Sequence, residues 1–242
     1  MNSELKKIII SPPFGTYLHL NDATSVKGSF TLTRRPGKWK EIFKTVRLTP
    51  EGWVNKVGLR AGSIQDLDKL YSYNLYSLAA ITKVDWDIIH AYFVRQNIRD
   101  IMVELNVSCP NVEKEGPPSK KTLENFAKFF NFVGLKLPSH YINWSLINDA
   151  IDAGITTFHC GNTFPTERGG ISGKTVKEFS IPQIEQIKNF HSNVTIIGGG
   201  GIYTPQDVVD YHNAGADYFS LATIWFTPWL VPPVLKKIRE IM

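Results

Sequence analysis

Cysteine is scarce in this sequence: Cys109 and Cys160 are the only two among 242 residues. Two thiols cannot build a disulfide framework or a four-cysteine zinc site, and a thiol that stays free suits a reducing compartment. Long apolar runs are missing too. After a polar start over residues 1–7, Ile8-Ile9-Ile10 is cut off by Ser11-Pro12-Pro13, far too short for a signal peptide or a membrane span. A soluble, cytoplasmic protein without a membrane partner is therefore expected. No linker, low-complexity tract or short-period repeat interrupts the chain, so one domain is expected over 1–242. Strong charge imbalance is also absent, since 27 Lys and Arg face 22 Asp and Glu for a net +5. One local cluster, Arg34, Arg35, Lys38, Lys40, Lys44 and Arg47, could meet nucleic acid. A solvated loop is the simpler reading, so no nucleic-acid partner is expected.

With 43% hydrophobic residues the chain can fill a full core. Short β-branched runs fall at 7–11, 29–33, 74–80, 101–106, 132–137, 156–159, 194–198 and 218–221. Between them lie amphipathic segments near 63–72, 85–96, 120–131, 141–153, 181–190, 204–214 and 228–241. Strands alternating with helices predict a parallel α/β sheet, and about eight repeats predict a closed (β/α)8 TIM barrel. Thr204-Pro205 supplies a helix N-cap and a proline at the first helical position, and Ser180-Ile181-Pro182 is a looser version. Gly134 and Gly154 fall where helices hand over to strands. The first unit is irregular. Residues 11–29 leave little room for an outer helix, and Asn21-Asp22-Ala23-Thr24-Ser25 reads as turn, so the first helix is expected to be shortened or missing.

Working residues of such barrels lie at the C-terminal strand ends. Those ends carry Ser11, Ser29, residues 106–111, Lys136, Asn162-Thr163, the glycines 198–201 and Ala222-Thr223. Hydroxyls, amides, a lysine and glycines gather there with few carboxylates, which suits an anionic, amide-rich ligand. Four glycines at 198–201, between an apolar strand and a capped helix, suit a phosphate better than a merely flexible turn. Gly169-Gly170-Ile171-Ser172-Gly173 can close the same anion pocket. Lys136 is a charge within an apolar strand; it either faces inward to a ligand or snorkels outward to water. Cys109 is either a small packed residue or an accessible thiol. Its place in a polar loop between serine and proline favours the second. Cys160 follows His159, with too few suitable neighbours for a metal site.

The stretch Glu104-Leu105-Asn106-Val107-Ser108-Cys109-Pro110-Asn111 closely resembles the active-site strand and loop of dihydroorotate dehydrogenases, flavin enzymes of pyrimidine synthesis. Gly52-Trp53-Val54-Asn55-Lys56-Val57-Gly58-Leu59 resembles the family segment that contacts the pyrimidine. Residues 76–80 and 134–138 look like its third and fifth strands, and 31–37 echoes another family segment. The match runs from about Ile8 onward, and the chain is identified as a shortened member of the soluble, cysteine-base class.

That resemblance implies an FMN enzyme oxidising dihydroorotate, or a related dihydropyrimidine, to orotate. Cys109 would be the base that removes the C5 proton while the C6 hydride passes to the flavin. Asn55, Gly58, Leu59, Asn106, Asn111, Asn162 and Thr163 would hold the pyrimidine. Ser29, Lys136, Gly170, Ser172, Gly173, Gly200, Gly201, Ala222 and Thr223 would bind FMN, with Lys136 at the ring and most of the others at the phosphate. The departures are the missing first helix, a segment at 163–169 too short for the usual covering insertion, Gly28 (beside Lys27) where the family has lysine, and Ala222 in place of a frequent glycine. Two other readings remain: a flavin barrel that reduces uridine in RNA, prompted by the basic cluster, and a degenerate flavin- or nucleotide-binding barrel without this activity. Trp225, Phe226 and Trp229 suit a homodimer contact as well as they suit helix packing.

Overall fold

Alternation along short strands is what builds this molecule. The computed structural model describes residues 4–67, 70–109, 111–112 and 115–241. Its strands are β1 (Ile8–Ile10), β2 (Ala23–Thr31), β3 (Arg47–Thr49), β4 (Gly52–Asn55), β5 (Gly62–Ser63), β6 (Leu75–Leu78), β7 (Met102–Asn106), β8 (Phe132–Lys136), β9 (Thr157–Cys160), β10 (Phe164–Thr166), β11 (Gly169–Ser172), β12 (Thr195–Gly199) and β13 (Tyr218–Leu221). Its helices are α1 (Lys38–Thr45), α2 (Lys83–Arg95), α3 (Lys120–Phe129), α4 (Trp144–Asp152), α5 (Lys174–Phe190), α6 (Pro205–Asn213) and α7 (Val231–Ile241). Strands β1, β2, β6, β7, β8, β9, β12 and β13 are all parallel, and β1 pairs with both β13 and β2, so the sheet closes on itself as a (β/α)8 barrel. Among the described residues no helix is long and apolar enough to cross a membrane.

Closure gives every strand an inside and an outside. Outward residues such as Ile8, Tyr76, Val103, Leu105, Leu135, Phe158 and Phe219 pack under the helices in the main core. Inward residues Ile9, Val26, Leu75, Met102 and Ile197 join Leu5 in a separate apolar plug. Two residues further along the same inward faces, the lining turns polar: Ser77 follows Leu75, Glu104 follows Met102, and Asn106 follows in turn. The barrel is therefore dry at one end and hydrogen-bonding at the other.

The irregular first unit is as expected, since only a turn of 3-10 helix, Phe14–Thr16, lies between β1 and β2. Several boundaries differ. Strand β2 begins at Ala23, so Ala23, Thr24 and Ser25 are strand rather than turn; they pair with β1 where the barrel closes. The helix expected at 63–72 is a single 3-10 turn, Ile64–Asp66, capped by Ser63; residues 68–69 of that segment lie outside the described residues. Helix α5 starts at Lys174, well before 181, and carries Pro182 within it. The helix tolerates this because Pro182 and Glu178, whose carbonyl loses its partner, are both exposed to water. Gly134 sits inside β8 rather than at a junction. The basic cluster includes α1, an amphipathic helix with no buried residue, instead of a loop. The Thr204 cap is as expected: Asp207 N donates to Thr204 Oγ1 at 3.2 Å and Thr204 N donates to Asp207 Oδ2 at 2.8 Å.

A second sheet was not foreseen. Strands β10, β11, β4 and β3 form an antiparallel four-stranded sheet. The short 163–169 segment thus supplies a hairpin that pairs with β4 and covers that side of the barrel mouth, where a longer insertion was expected to be lost.

Candidate active site at the barrel mouth

The loop after β7 is pinned at both ends of its polar run. Val107 N donates to Lys136 O at 3.3 Å, and Ser108 N donates to Asn106 Oδ1 at 3.2 Å. Asn162 Nδ2 donates to Ser108 Oγ at 2.5 Å and to Asn106 Oδ1 at 3.3 Å, tying β9 to the loop. On the other side Asn111 Nδ2 donates to Asn55 Oδ1 at 3.2 Å, while Gly170 N donates to Asn111 Oδ1 at 2.8 Å. Cys109 is a half-exposed free thiol held between these anchors. Pro110 lies outside the described residues.

Asn55, Asn106, Asn111 and Asn162, spread over the sequence, are thus brought into two hydrogen-bonded pairs, Asn106 with Asn162 and Asn55 with Asn111, anchored in the loop that carries Cys109. Gly58 fits under Asn111 because a Cβ there would lie 2.8 Å from Asn111 O, and Leu59 is buried beside it with φ 36°. Gly170 belongs to this group through its N–H and does not line the pocket described next. Ser29 likewise joins Asn106, whose Nδ2 donates to Ser29 Oγ at 2.8 Å. Lys27 turns away, donating to Gly15 O at 2.6 Å, so it supplies no charge here.

Beside the asparagines opens a cavity lined among others by Lys136, Thr163, Ser172, Gly173, Gly200 and Thr223. Gly201, Asn162 and Ala222 also line it, and no carboxylate does. Lys136 is only 8% exposed and lines the cavity, so it faces inward rather than snorkelling to water. The glycines are demanded by close packing: Gly200 has φ +91°, and a Cβ there would lie 2.3 Å from Val176 Cγ1. Helix α5 begins at this cavity with Gly173 as N-cap and no side-chain cap, the arrangement in which helix N–H groups receive an anion. Together these donors, with no carboxylate among them, suit a phosphate.

Beneath the cavity the sequence reading missed a buried polar chain. Asn106 donates to Ser29, Ser29 bonds Ser77 at 2.8 Å, and Ser77 Oγ donates to Glu104 Oε1 at 2.9 Å. From the other side His159 Nδ1 bonds Glu104 Oε2 at 2.5 Å, His159 Nε2 bonds Ser220 Oγ at 2.9 Å, and Ser220 bonds Ser11 Oγ at 2.6 Å. Burial alone would raise the pKa of Glu104, but the charge of Lys136, with hydrogen bonds from His159 and Ser77, holds it well below the usual carboxylate range. Burial and then the Lys136 charge hold His159 below its ordinary value against the pull of Glu104. Glu104 is thus an ionised acceptor, and His159 is a neutral imidazole donating through Nδ1. The signal available in the sequence was the inward period of β7 and β9, which places Glu104 and His159 inside. Cys160, on the outward face, is buried in the helix-packed core, and that burial pushes its thiol up.

Because the folded-state pKa of both groups is lowered, acid should destabilise the protein. Below about pH 6.5 the unfolded chain binds a proton at this histidine that the folded chain resists, and near pH 4.3 the glutamate adds to the loss. Melting temperature is expected to fall steadily from pH 7.5 to pH 5. His90 and His140 shift the same way, so His159→Gln should flatten only part of the curve.

Gly161, which leads from β9 to Asn162, has φ +110°, and a Cβ there would lie 2.0 Å from Gly199 O. Gly161→Ala is expected to destabilise by on the order of 3 kcal/mol or more, read by urea unfolding.

Comparison with known proteins finds similarity to dihydroorotate dehydrogenases. The family model for dihydroorotate dehydrogenase matches residues 139–242. The chain is 25% identical over 263 aligned residues to the dihydroorotate dehydrogenase B (NAD(+)) catalytic subunit of Thermotoga petrophila, covering 97% of this chain and 96% of that protein. The catalytic subunit of the same name from Shouchella clausii is 26% identical, covering 93% of this chain and 83% of the relative. In fold, the chain is similar to the crystal structure of DHODH from Eimeria tenella in complex with ferulenol, with a TM-score of 0.68 at 15% identity, covering 97% and 81% of the two chains.

Proposed function

We propose that this chain, which is similar to dihydroorotate dehydrogenases, is an FMN-dependent oxidoreductase acting on the C5–C6 bond of dihydroorotate or a related dihydropyrimidine. The observation that carries the reading is the placement of Cys109. It is a half-exposed free thiol between Ser108 and Asn111, in a loop tied by Ser108 to Asn162, which lines the donor-rich cavity.

Asn55, Asn106, Asn111 and Asn162, with Gly58, Leu59 and Thr163 around them, would hold the pyrimidine amides and carboxylate. Their amide groups already order one another, so the site is organised before a ligand arrives. Lys136 and Ser29 would meet the flavin ring, while Ser172, Gly173, Gly200, Gly201, Ala222 and Thr223 would receive its phosphate at the start of α5. Gly170 serves the pyrimidine side by orienting Asn111. Bound FMN would supply the acceptor for the electron pair leaving C6. Cys109 would take the C5 proton on Sγ and later release it to water. The β10–β11 hairpin, paired to β4, would limit water at that side of the mouth.

An absorbance spectrum of the purified protein tests the reading. FMN is expected to bind and its visible band to bleach when dihydroorotate is added anaerobically. A colourless protein that takes up no FMN would overturn the proposal. Bound FMN that stays oxidised would leave a binding barrel without this activity.

A further inference from the structure

Below the cavity floor lies an ionisable pair that substrate binding and proton abstraction leave unused. Glu104 and His159 are each 1% exposed. Burying them is costly, and apolar side chains fill the same barrel at lower cost one level down, where Leu75, Met102 and Ile197 pack. Two features connect the pair to the cavity above it. Ser220 and Ser11, the hydroxyls that extend the chain from His159, both line the cavity. Lys136, whose charge acts on both Glu104 and His159, lines it as well.

The donor directions follow from chemistry. An ionised Glu104 only accepts, so Ser77 and His159 Nδ1 donate to it. His159 Nε2 then accepts from Ser220, and Ser220 accepts from Ser11. Every hydrogen bond in the chain points toward Glu104. The hydroxyl branch can pass a proton inward along its own bonds.

We propose that His159 is a redox-linked proton acceptor: with Glu104 as fixed counter-charge, it takes up one proton through Ser11 and Ser220 when the ligand over Lys136 gains negative charge. This rests on the flavin reading above. In the uptake step Ser220 gives its hydroxyl proton to Nε2, Ser11 gives its own to Ser220, and water in the cavity restores the proton of Ser11. Only O–H and N–H bonds change and no electrons move. At rest the Lys136 and Glu104 charges balance; after uptake the imidazolium balances the charge added above Lys136. In a low-dielectric barrel such compensation is worth far more than in water. The groups facing the imidazole are Glu104 from β7, Lys136 from β8, Ser220 from β13 and Ser11 from β1, with Ser77 of β6 behind the carboxylate; β12 contributes no titratable residue. His159 is a positioning residue for charge and is not expected to touch substrate.

The test is the pH dependence of the midpoint potential of bound FMN between pH 7 and 8.5. The wild-type slope is expected to correspond to one more proton per electron pair than the slope of His159→Gln, so that the variant slope is about half. Glu104→Gln, which strips the imidazolium of its counter-charge, is expected to give the lower slope too. FMN affinity measured alongside should stay within a few fold, which separates charge coupling from general damage. Should either variant fail to fold, ¹⁵N spectra of histidine-labelled wild-type protein decide the matter. The Nε2 signal of His159 should move from an unprotonated to a protonated nitrogen on reduction. Equal slopes, or an Nε2 that stays unprotonated, would overturn this proposal alone, whereas failure to take up FMN would remove both readings.

Discussion

Cys109→Ala is expected to slow reduction of bound flavin by dihydroorotate about 10²- to 10⁴-fold, the usual worth of a positioned general base. FMN uptake should be unchanged, because the cavity is lined by Lys136, the residues around Gly173, the 200–201 glycines and Thr223, none of which depends on the thiol. The loop should also keep its shape. Its anchors are Ser108, held by Asn106 and Asn162, and Asn111, held by Asn55 and Gly170. Stopped-flow reduction at saturating substrate isolates the chemical step. A rate within a few fold of wild type would remove Cys109 as the base and leave the asparagines as a binding site in search of another proton acceptor.

Glu104→Ala is expected to be the most damaging single change to stability, at about 3–5 kcal/mol. The carboxylate receives donors from Ser77 and His159 and compensates the buried Lys136 charge. Its loss strands two donors and a cation inside the barrel. Against a domain stability of roughly 5–15 kcal/mol, the melting temperature should drop by on the order of 10 °C. Glu104→Gln keeps the shape and an acceptor, so it should cost less than alanine. Urea unfolding of the three proteins ranks them, and an alanine variant within about 1 kcal/mol of wild type would show that the pair contributes little.

The barrel was legible because strand and helix periods are local. The runs that become β6, β7, β8, β9, β12 and β13 matched expectation closely, and the strand-end residues did gather at one mouth. The misses share a cause: their stability comes from distant partners. Ala23, Thr24 and Ser25 are strand because β1 offers them pairing at closure. The β4–β11 contact joins Val54 to Ile171, and no turn signal near either residue announces it. Helix α5 runs back to Lys174 because Val176 packs against the 200–201 turn. That same pairing presents the N–H of Gly170 to Asn111.

What this sequence determined by itself was which residues lie on the same face: Met102, Glu104 and Asn106 alternate with Val103 and Leu105 whatever the rest of the chain does, since side chains of a strand repeat every second residue. Which inward residues meet was decided only by the closed barrel. Glu104 and His159 stand 55 positions apart, and His159 and Ser220 stand 61 apart. Strand order, tilt and closure alone bring them within hydrogen-bond distance, and a dry interior then makes their charges count.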